Sequence, residues 1–147
     1  MAVQYCISTG AATMVVSTAK TLIEIPSAST MPFVVYKMEV TSGATVAGGL
    51  TLSWCTYTVT GTGTTYTPLK WGVDQSVAAV LGTVKINDTV EPSSVAILTT
   101  LLIPLPGMYS IIDPFGRETY QPISVLRCLR ATSTVASPVS INLYIEQ

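Results

Sequence analysis

Three segments of the chain alternate hydrophobic and polar residues with a period of two, which is the pattern of a β-strand with one buried face. Each segment also contains β-branched or aromatic residues, which favour strands over helices. We therefore predict three half-buried strands. Their inward faces are Val34, Tyr36, Met38 and Val40 in the first, Leu50, Leu52 and Trp54 in the second, and Ile141, Leu143 and Ile145 in the third.

Four further apolar runs predict strands at residues 21–26, 80–86, 95–103 and 125–132. Clusters of Gly, Pro, Asn and Asp separate the strands at the short intervals of a sandwich or barrel. Asp74 offers an N-cap for one helical turn, and no longer 3.6-residue period is present. The pattern predicts an all-β fold, a single antiparallel β-sandwich that is jelly-roll-like, with about eight strands and at most one short helix.

The chain divides into two parts by pattern. Residues 21–147 hold the predicted strands and should form the sandwich domain. Residues 1–20 are weakly patterned and rich in small residues, so we expect an N-terminal segment that extends as an arm, although folding into the domain stays open. The whole chain has 147 residues and 15.5 kDa, which suits one domain.

The segment 95–103 is apolar on both strand faces. A strand of this kind is covered on both sides, either by a neighbouring chain or as a central core strand beneath a loop. Three arginines, among them Arg117, form the main cationic concentration and offer further contacts. The candidate protein-interface residues are Val95, Ile97, Leu101, Ile103, Arg127 and Arg130.

Composition sharpens the interface prediction. Charged residues make up 10% of the chain and hydrophobic residues 48%, with a mean hydropathy of +0.52. A surface with so few charges predicts extensive contact with other proteins. Seven basic residues are balanced by eight acids, so no basic stripe supports nucleic-acid binding. The amino-terminal residues lack a secretion pattern and no apolar run is long enough for a membrane span, which predicts a soluble protein made in the cytoplasm.

The candidate chemistry is sparse. The absence of histidine excludes Ser-His-Asp triads and His-ligated metal sites. Paired carboxylates could serve glycoside cleavage, but the eight acids form no recognisable catalytic motif, and most of them sit next to turns or on presumed outward faces. They are Glu24, Glu39, Asp74, Asp88, Glu91, Asp113, Glu118 and Glu146. Cys6, Cys55 and Cys128 are far apart in sequence and are expected to be small buried hydrophobes, while one disulfide with a free thiol stays open. We expect no catalytic residues, no metal and no cofactor, and therefore no enzyme.

A second functional class remains open, that of a carbohydrate-binding module. Trp54 alternates in phase with Leu50 and Leu52 and should lie in the core. Trp71 follows Lys70 in a loop-like stretch and is free to stack on a sugar. The alternative reading therefore makes Trp71 a ligand-stacking residue on a β-sandwich.

The order of segments resembles that of a known group of proteins. A strand at 21–26 precedes one that ends in Ser42-Gly43, and the strand from Leu50 leads into a Thr/Gly-rich hairpin around Gly61 and Gly63 that should project. The stretch Pro122-Ile-Ser-Val-Leu-Arg-Cys-Leu-Arg then precedes a short last strand that ends in Ile145-Glu146-Gln147. This organisation resembles the small β-sandwich virion proteins of tailed bacteriophages, including capsid decoration or cement proteins.

The resemblance implies a non-enzymatic structural role. Decoration proteins bind the major capsid protein lattice, commonly as trimers at threefold or quasi-threefold positions, and stabilise the shell by binding its assembled form. For this chain the resemblance implies a homo-oligomer, with a trimer favoured, that is made in the host cytoplasm and resides on the capsid surface of the virion. A neck, tail or host-recognition component is the alternative within the particle.

Overall fold

The computed structural model describes residues 4–25, 33–70, 84–116 and 126–147, which form eleven β-strands and no helix. The prediction of an all-β fold is confirmed, and no described segment is a helix long and apolar enough to cross a membrane. The strands are β1 (Gln4–Met14), β2 (Lys20–Ile25), β3 (Val34–Ser42), β4 (Gly48–Thr56), β5 (Thr62–Tyr66), β6 (Leu69–Lys70), β7 (Val84–Val90), β8 (Ala96–Leu105), β9 (Gly107–Ile112), β10 (Arg127–Ser133) and β11 (Ser137–Glu146).

Two antiparallel sheets pack face to face. The first sheet has the order β6-β1-β11-β3-β9, and the second has the order β5-β7-β2-β10-β4-β8. Strand β1 pairs with β11, β2 with β10, β3 with β9 and β4 with β8, so eight strands form one long double ribbon rolled across both sheets. This is the jelly-roll arrangement that we predicted. Strands β5, β6 and β7 are additions to it, inserted in the chain between β4 and β8.

The core lies between the sheets. All the residues predicted to face inward from β4 and β11 lie in it. Leu50, Leu52 and Trp54 of β4 are buried, as are Ile141, Leu143 and Ile145 of β11. The indole of Trp54 stacks on the ring of Phe115, with the ring centroids 4.7 Å apart. Trp54 is therefore a core residue, as predicted.

The inward face predicted for β3 is only partly right. Met38 and Val40 point into the core, but the residue that joins them there is Val35 and not Val34 or Tyr36. The pairing of β3 with β11 shifts register between Tyr144 and Ile145, and such a bulge reverses which side chains face inward. The Tyr36 ring instead contacts the Tyr144 ring outside the core, at 6.2 Å between centroids.

The amino-terminal residues correct the predicted arm. Strand β1 pairs with β11 from Gln4 opposite Glu146 to Met14 opposite Ser137. Ile7 and Met14 are fully buried in the core. Residues 4–14 therefore belong to the sandwich, and the domain does not begin at residue 21. The helical turn predicted at 74–81 lies outside the described residues, as do residues 80–83 of the strand predicted at 80–86.

Candidate interaction surface

One side of the sandwich is built from a single continuous piece of chain. Strand β8 ends the second sheet and β9 ends the first, and the chain crosses between them at Leu105–Gly107 through a cis Leu105–Pro106 peptide. At Gly107 a Cβ atom would lie 2.8 Å from the Tyr109 ring, so a larger residue here would displace that side chain. Residues 96–112 therefore form the whole of this edge, which we call the open edge.

The pairing of β8 with β4 determines which of its side chains face solvent. Ile103 lies opposite Leu50, so it points into the core, whereas Leu102 lies opposite Thr51 and points outward. A register shift between Trp54 and Cys55 puts Ile97 on the outer face as well. The large hydrophobic side chains exposed on the open edge are Ile97 (65%), Leu98 (52%), Leu102 (79%), Met108 (80%) and Ile112 (65%).

The open edge carries no charge. No Asp, Glu, Lys or Arg occurs between Glu91 and Asp113. Soluble proteins usually protect an edge strand with charged side chains, with bulges or by keeping it short, because unpaired backbone N–H and C=O groups accept a further strand. Strand β8 has ten residues, and its proline, Pro104, is of the kind found on edge strands. The open edge is thus apolar and only partly protected, because β8 carries a register shift at Leu98 and Pro104, which discourage pairing, but no charge.

The predicted interface residues of this segment have different positions. Ile97 is exposed on the open edge. Leu101 is half-buried against the main core, and Val95 is half-buried against a smaller cluster formed by Cys55, Tyr57 and Cys128. Ile103 is 4% exposed within the core, so its prediction as an interface residue is wrong. The alternative of a central strand does not fit either, because within the described ranges β8 pairs with β4 alone.

The two predicted arginines lie on opposite faces of β10. Arg127 is buried, its guanidinium donates from Nη1 to the carbonyl oxygen of Leu126 at 3.3 Å, and burial lowers its pKa. Arg127 therefore does not offer the accessible side chain that the interface prediction assumed. Arg130 lies on the outer face, where its Nε is 3.6 Å from Oε2 of Glu91. Glu91 also accepts the backbone N–H of Thr21 at 2.9 Å, so Arg130 belongs to a local network.

Sequence reasoning missed four residues of the open edge, namely Leu98, Leu102, Met108 and Ile112. One signal was present, because the uncharged run that contains the segment 95–103 continues to Ile112. The prolines at 104 and 106 look like the end of the apolar stretch, yet the chain only changes sheets there. Trp71, the predicted sugar-stacking residue, lies outside the described residues.

The opposite side of the sandwich ends in short strands. Strand β5 has five residues and borders the second sheet, and β6, which lies at the end of the described range 33–70, borders the first sheet. The Thr/Gly-rich hairpin does not project as predicted, because β5 pairs with β7 along the sheet. We call this side the covered edge. Its exposed side chains on β5 are the hydroxyl-bearing Thr62, Thr64 and Thr65.

The cysteines support no reactive site. Cys55 lies opposite Cys128 on neighbouring strands and both are fully buried, as predicted, while Cys6 is half-buried. All three thiols are free of disulfides. Within the ranges that the structure describes, no three Cys, Asp or Glu side chains are placed to hold a metal ion.

No protein-family model and no curated protein matches this sequence. Among solved structures, one described as "Crystal structure of PirA" is similar with a TM-score of 0.45 and 9% sequence identity. The similarity covers 95% of this chain and 93% of that one.

Proposed function

We propose that this protein is a non-enzymatic structural component of a bacteriophage particle, and more particularly a capsid decoration protein that binds and stabilises the lattice of the major capsid protein. The observation that supports the proposal is the open edge, which exposes Leu102 and Met108 at about 80% each on a stretch of chain that has no charged residue between Glu91 and Asp113. An exposed apolar surface of this kind is typical of a site that binds other proteins.

The open edge supports binding through two kinds of contact. Its backbone can accept a strand from a neighbour, which supplies main-chain hydrogen bonds, and its exposed side chains provide apolar area for specificity. A protein that binds the assembled shell and not its free subunits stabilises the shell by its binding free energy. A lattice repeats this contribution at every site.

The test uses the purified full chain and empty mature capsids of the phage that encodes it. Native mass spectrometry of the free protein should give a homo-oligomer, with a trimer favoured, and co-sedimentation should give saturable binding to capsids. A monodisperse monomer that never binds capsids would overturn the proposal. Cryo-electron microscopy of the particle then separates the capsid surface from the neck or tail, since density for this chain on the shell is the expected result.

A further inference from the structure

A buried group of polar side chains lies on the outer face of the second sheet, away from the open edge. Glu24 of β2 is fully buried, and Asp88 of β7 is 3% exposed. The hydroxyl of Tyr57 donates to Oε1 of Glu24 at 2.9 Å, and the backbone N–H of Gly61 donates to Oε2 at 3.2 Å. Both oxygens of Glu24 are thus bound by residues 57–66, the segment that contains β5, which we call the hairpin segment.

The backbone of the hairpin segment encloses the carboxyl group of Asp88. A Cβ atom on Gly61 would lie 2.7 Å from Oδ2, and one on Gly63 would overlap Oδ1. This close approach explains the two glycines that sequence analysis assigned to a projecting bend. Lys85 of β7 strengthens the closure, because its Nζ donates to the carbonyl oxygen of Gly61 at 2.8 Å.

Asp88 lacks an ordinary donor. Among the described residues no N–H or O–H group donates to either of its carboxyl oxygens. The carboxyl group of Glu24 is close enough to raise the pKa of Asp88 through a hydrogen bond and through its charge. Two ionised carboxylates only accept hydrogen bonds, so this hydrogen bond forms when one of the two groups holds a proton.

The surroundings of Asp88 favour the protonated form of its carboxyl group. Burial, followed by the hydrogen bond and the charge of Glu24, raises the pKa of Asp88 to about 8, and the positive charge of Lys85 opposes this only in part. With one proton on the pair, the charges of Glu24 and Lys85 balance. The titratable and charged groups around the pair are Lys85 of β7, Tyr57 after β4, Glu91 after β7, and Cys128 and Arg130 of β10.

We propose that the protonated carboxyl group of Asp88, facing Glu24 beneath the hairpin segment, acts as a pH-sensitive latch that holds this segment on the second sheet. When both carboxyl groups are ionised, two buried negative charges lie side by side without a donor between them. Moving the hairpin segment away admits water to both. The latch is independent of the proposed function, since it lies at the covered edge.

The direction of the pH dependence follows from the two states of Asp88. In the open state Asp88 is hydrated and titrates near its ordinary value of 3.8, whereas in the closed state its pKa is about 8. The closed state therefore binds more protons between these values. Opening should become about tenfold more favourable for each pH unit from about 4 to about 8 and level off above that range.

The test is amide hydrogen exchange of the full chain from pH 5 to pH 9, corrected for the intrinsic exchange rate. Protection of the Gly61 amide should fall about tenfold per pH unit up to pH 7 and flatten above pH 8. Asp88→Asn carries an N–H where the carboxyl proton lies, so its protection should stay constant with pH. Glu39→Gln removes a carboxyl group from the other sheet and should keep the wild-type slope.

Carboxyl 13C titration of the wild-type chain gives a second readout that needs no variant. The Asp88 carboxyl carbon should titrate near pH 8, and after Glu24→Gln its midpoint should fall. A midpoint near pH 4 in the wild-type protein would overturn the latch. So would protection of Gly61 that is flat with pH in the wild type, or a pH dependence in Asp88→Asn equal to that of the wild type.

Discussion

The two edges of the sandwich differ in length and in chemistry. Without strands β5, β6 and β7, the rolled ribbon of eight strands would leave β1 and β2 as edges on one side and β8 and β9 on the other. The insertion between β4 and β8 extends the sheets beyond β1 and β2, and on the second sheet it ends in β5, which has five residues. Among the described residues no strand is added beyond β8, which has ten residues.

The two edges differ in how far they are protected from pairing with a further strand. The covered edge ends in the short strand β5 with hydroxyl side chains, and a short edge strand discourages further pairing, although Leu69 and Val90 are also exposed on this side. The open edge shows long strands with Ile97, Leu102 and Met108 exposed and no charge among them. The proposed contact with other proteins would therefore form on one side of the sandwich, at the open edge.

The largest expected effect separates two neighbouring residues of β8. Ile103→Ala removes a side chain from the core and should lower the free energy of unfolding by about 2–5 kcal/mol, because it leaves a cavity. Leu102→Ala removes an exposed side chain and should change it by less than about 0.5 kcal/mol. Urea denaturation of both variants measures the difference, and equal losses would contradict the assignment of the two faces.

The next effect concerns assembly. Leu102→Lys puts a charge at the centre of the open edge and should weaken self-association or capsid binding by about 2 kcal/mol or more, roughly 30-fold in Kd, because the ammonium group must lose its hydration in the contact. Leu69→Lys is the matched control, since Leu69 is 58% exposed on β6 at the covered edge. Co-sedimentation compares the two, and equal losses would count against the open edge as the contact.

A smaller effect tests the closure of the covered edge. Gly63→Ala forces a Cβ atom against the Asp88 carboxyl group and should lower the free energy of unfolding by about 1–2 kcal/mol through overpacking. Gly49→Ala on β4 is the control, because a Cβ atom there would have no neighbour within 4 Å. Thermal unfolding of both variants is the measurement. A neutral Gly63→Ala would show that β5 is not held against β7 as described.

The smallest effect lies one strand inward from the open edge. Lys37 of β3 has its Nζ 2.6 Å from Oε1 of Glu39 and 4.9 Å from the centre of the Tyr144 ring. The hydrogen bond from Lys37 lowers the pKa of Glu39, so this stabilisation is present above the ordinary pKa of a glutamate and is lost as the pH falls. Lys37→Met should cost about 1 kcal/mol or less and raise the titration midpoint of Glu39 in 13C spectra. An unchanged midpoint would refute the pairing.

Sequence alternation predicted the elements whose phase is unbroken. Strands β4 and β11 keep a period of two through the core, and their inward faces were predicted residue by residue. Strand β3 contains a bulge, and the phase error at Val35 follows from it because a bulge is decided by pairing with β11. Strand β1 was missed for a related reason: its small residues gain their burial from β11, which is distant in sequence.

The open edge and the buried acids Glu24 and Asp88 show a second limit of prediction from sequence. Alternation cannot decide which face of the segment 95–103 is buried when both faces are apolar, so Ile103 and Leu102 were not distinguished. Asp88 stands in a stretch that reads as a turn, and Glu24 reads as an outward-facing acid. Both are buried because the hairpin segment folds over them, a contact between distant parts of the chain that no local pattern encodes.

The pairing of β1 with β11 also sets an order for folding. In the first sheet β1 has β6 and β11 as neighbours, and β6 contributes two residues of pairing. During synthesis, the core around Ile7 and Met14 is therefore completed only after β11 has been made and has paired with β1. Pairing over so large a separation makes folding slow, on the order of milliseconds to seconds, and leaves the nascent chain exposed to aggregation until the last strand emerges.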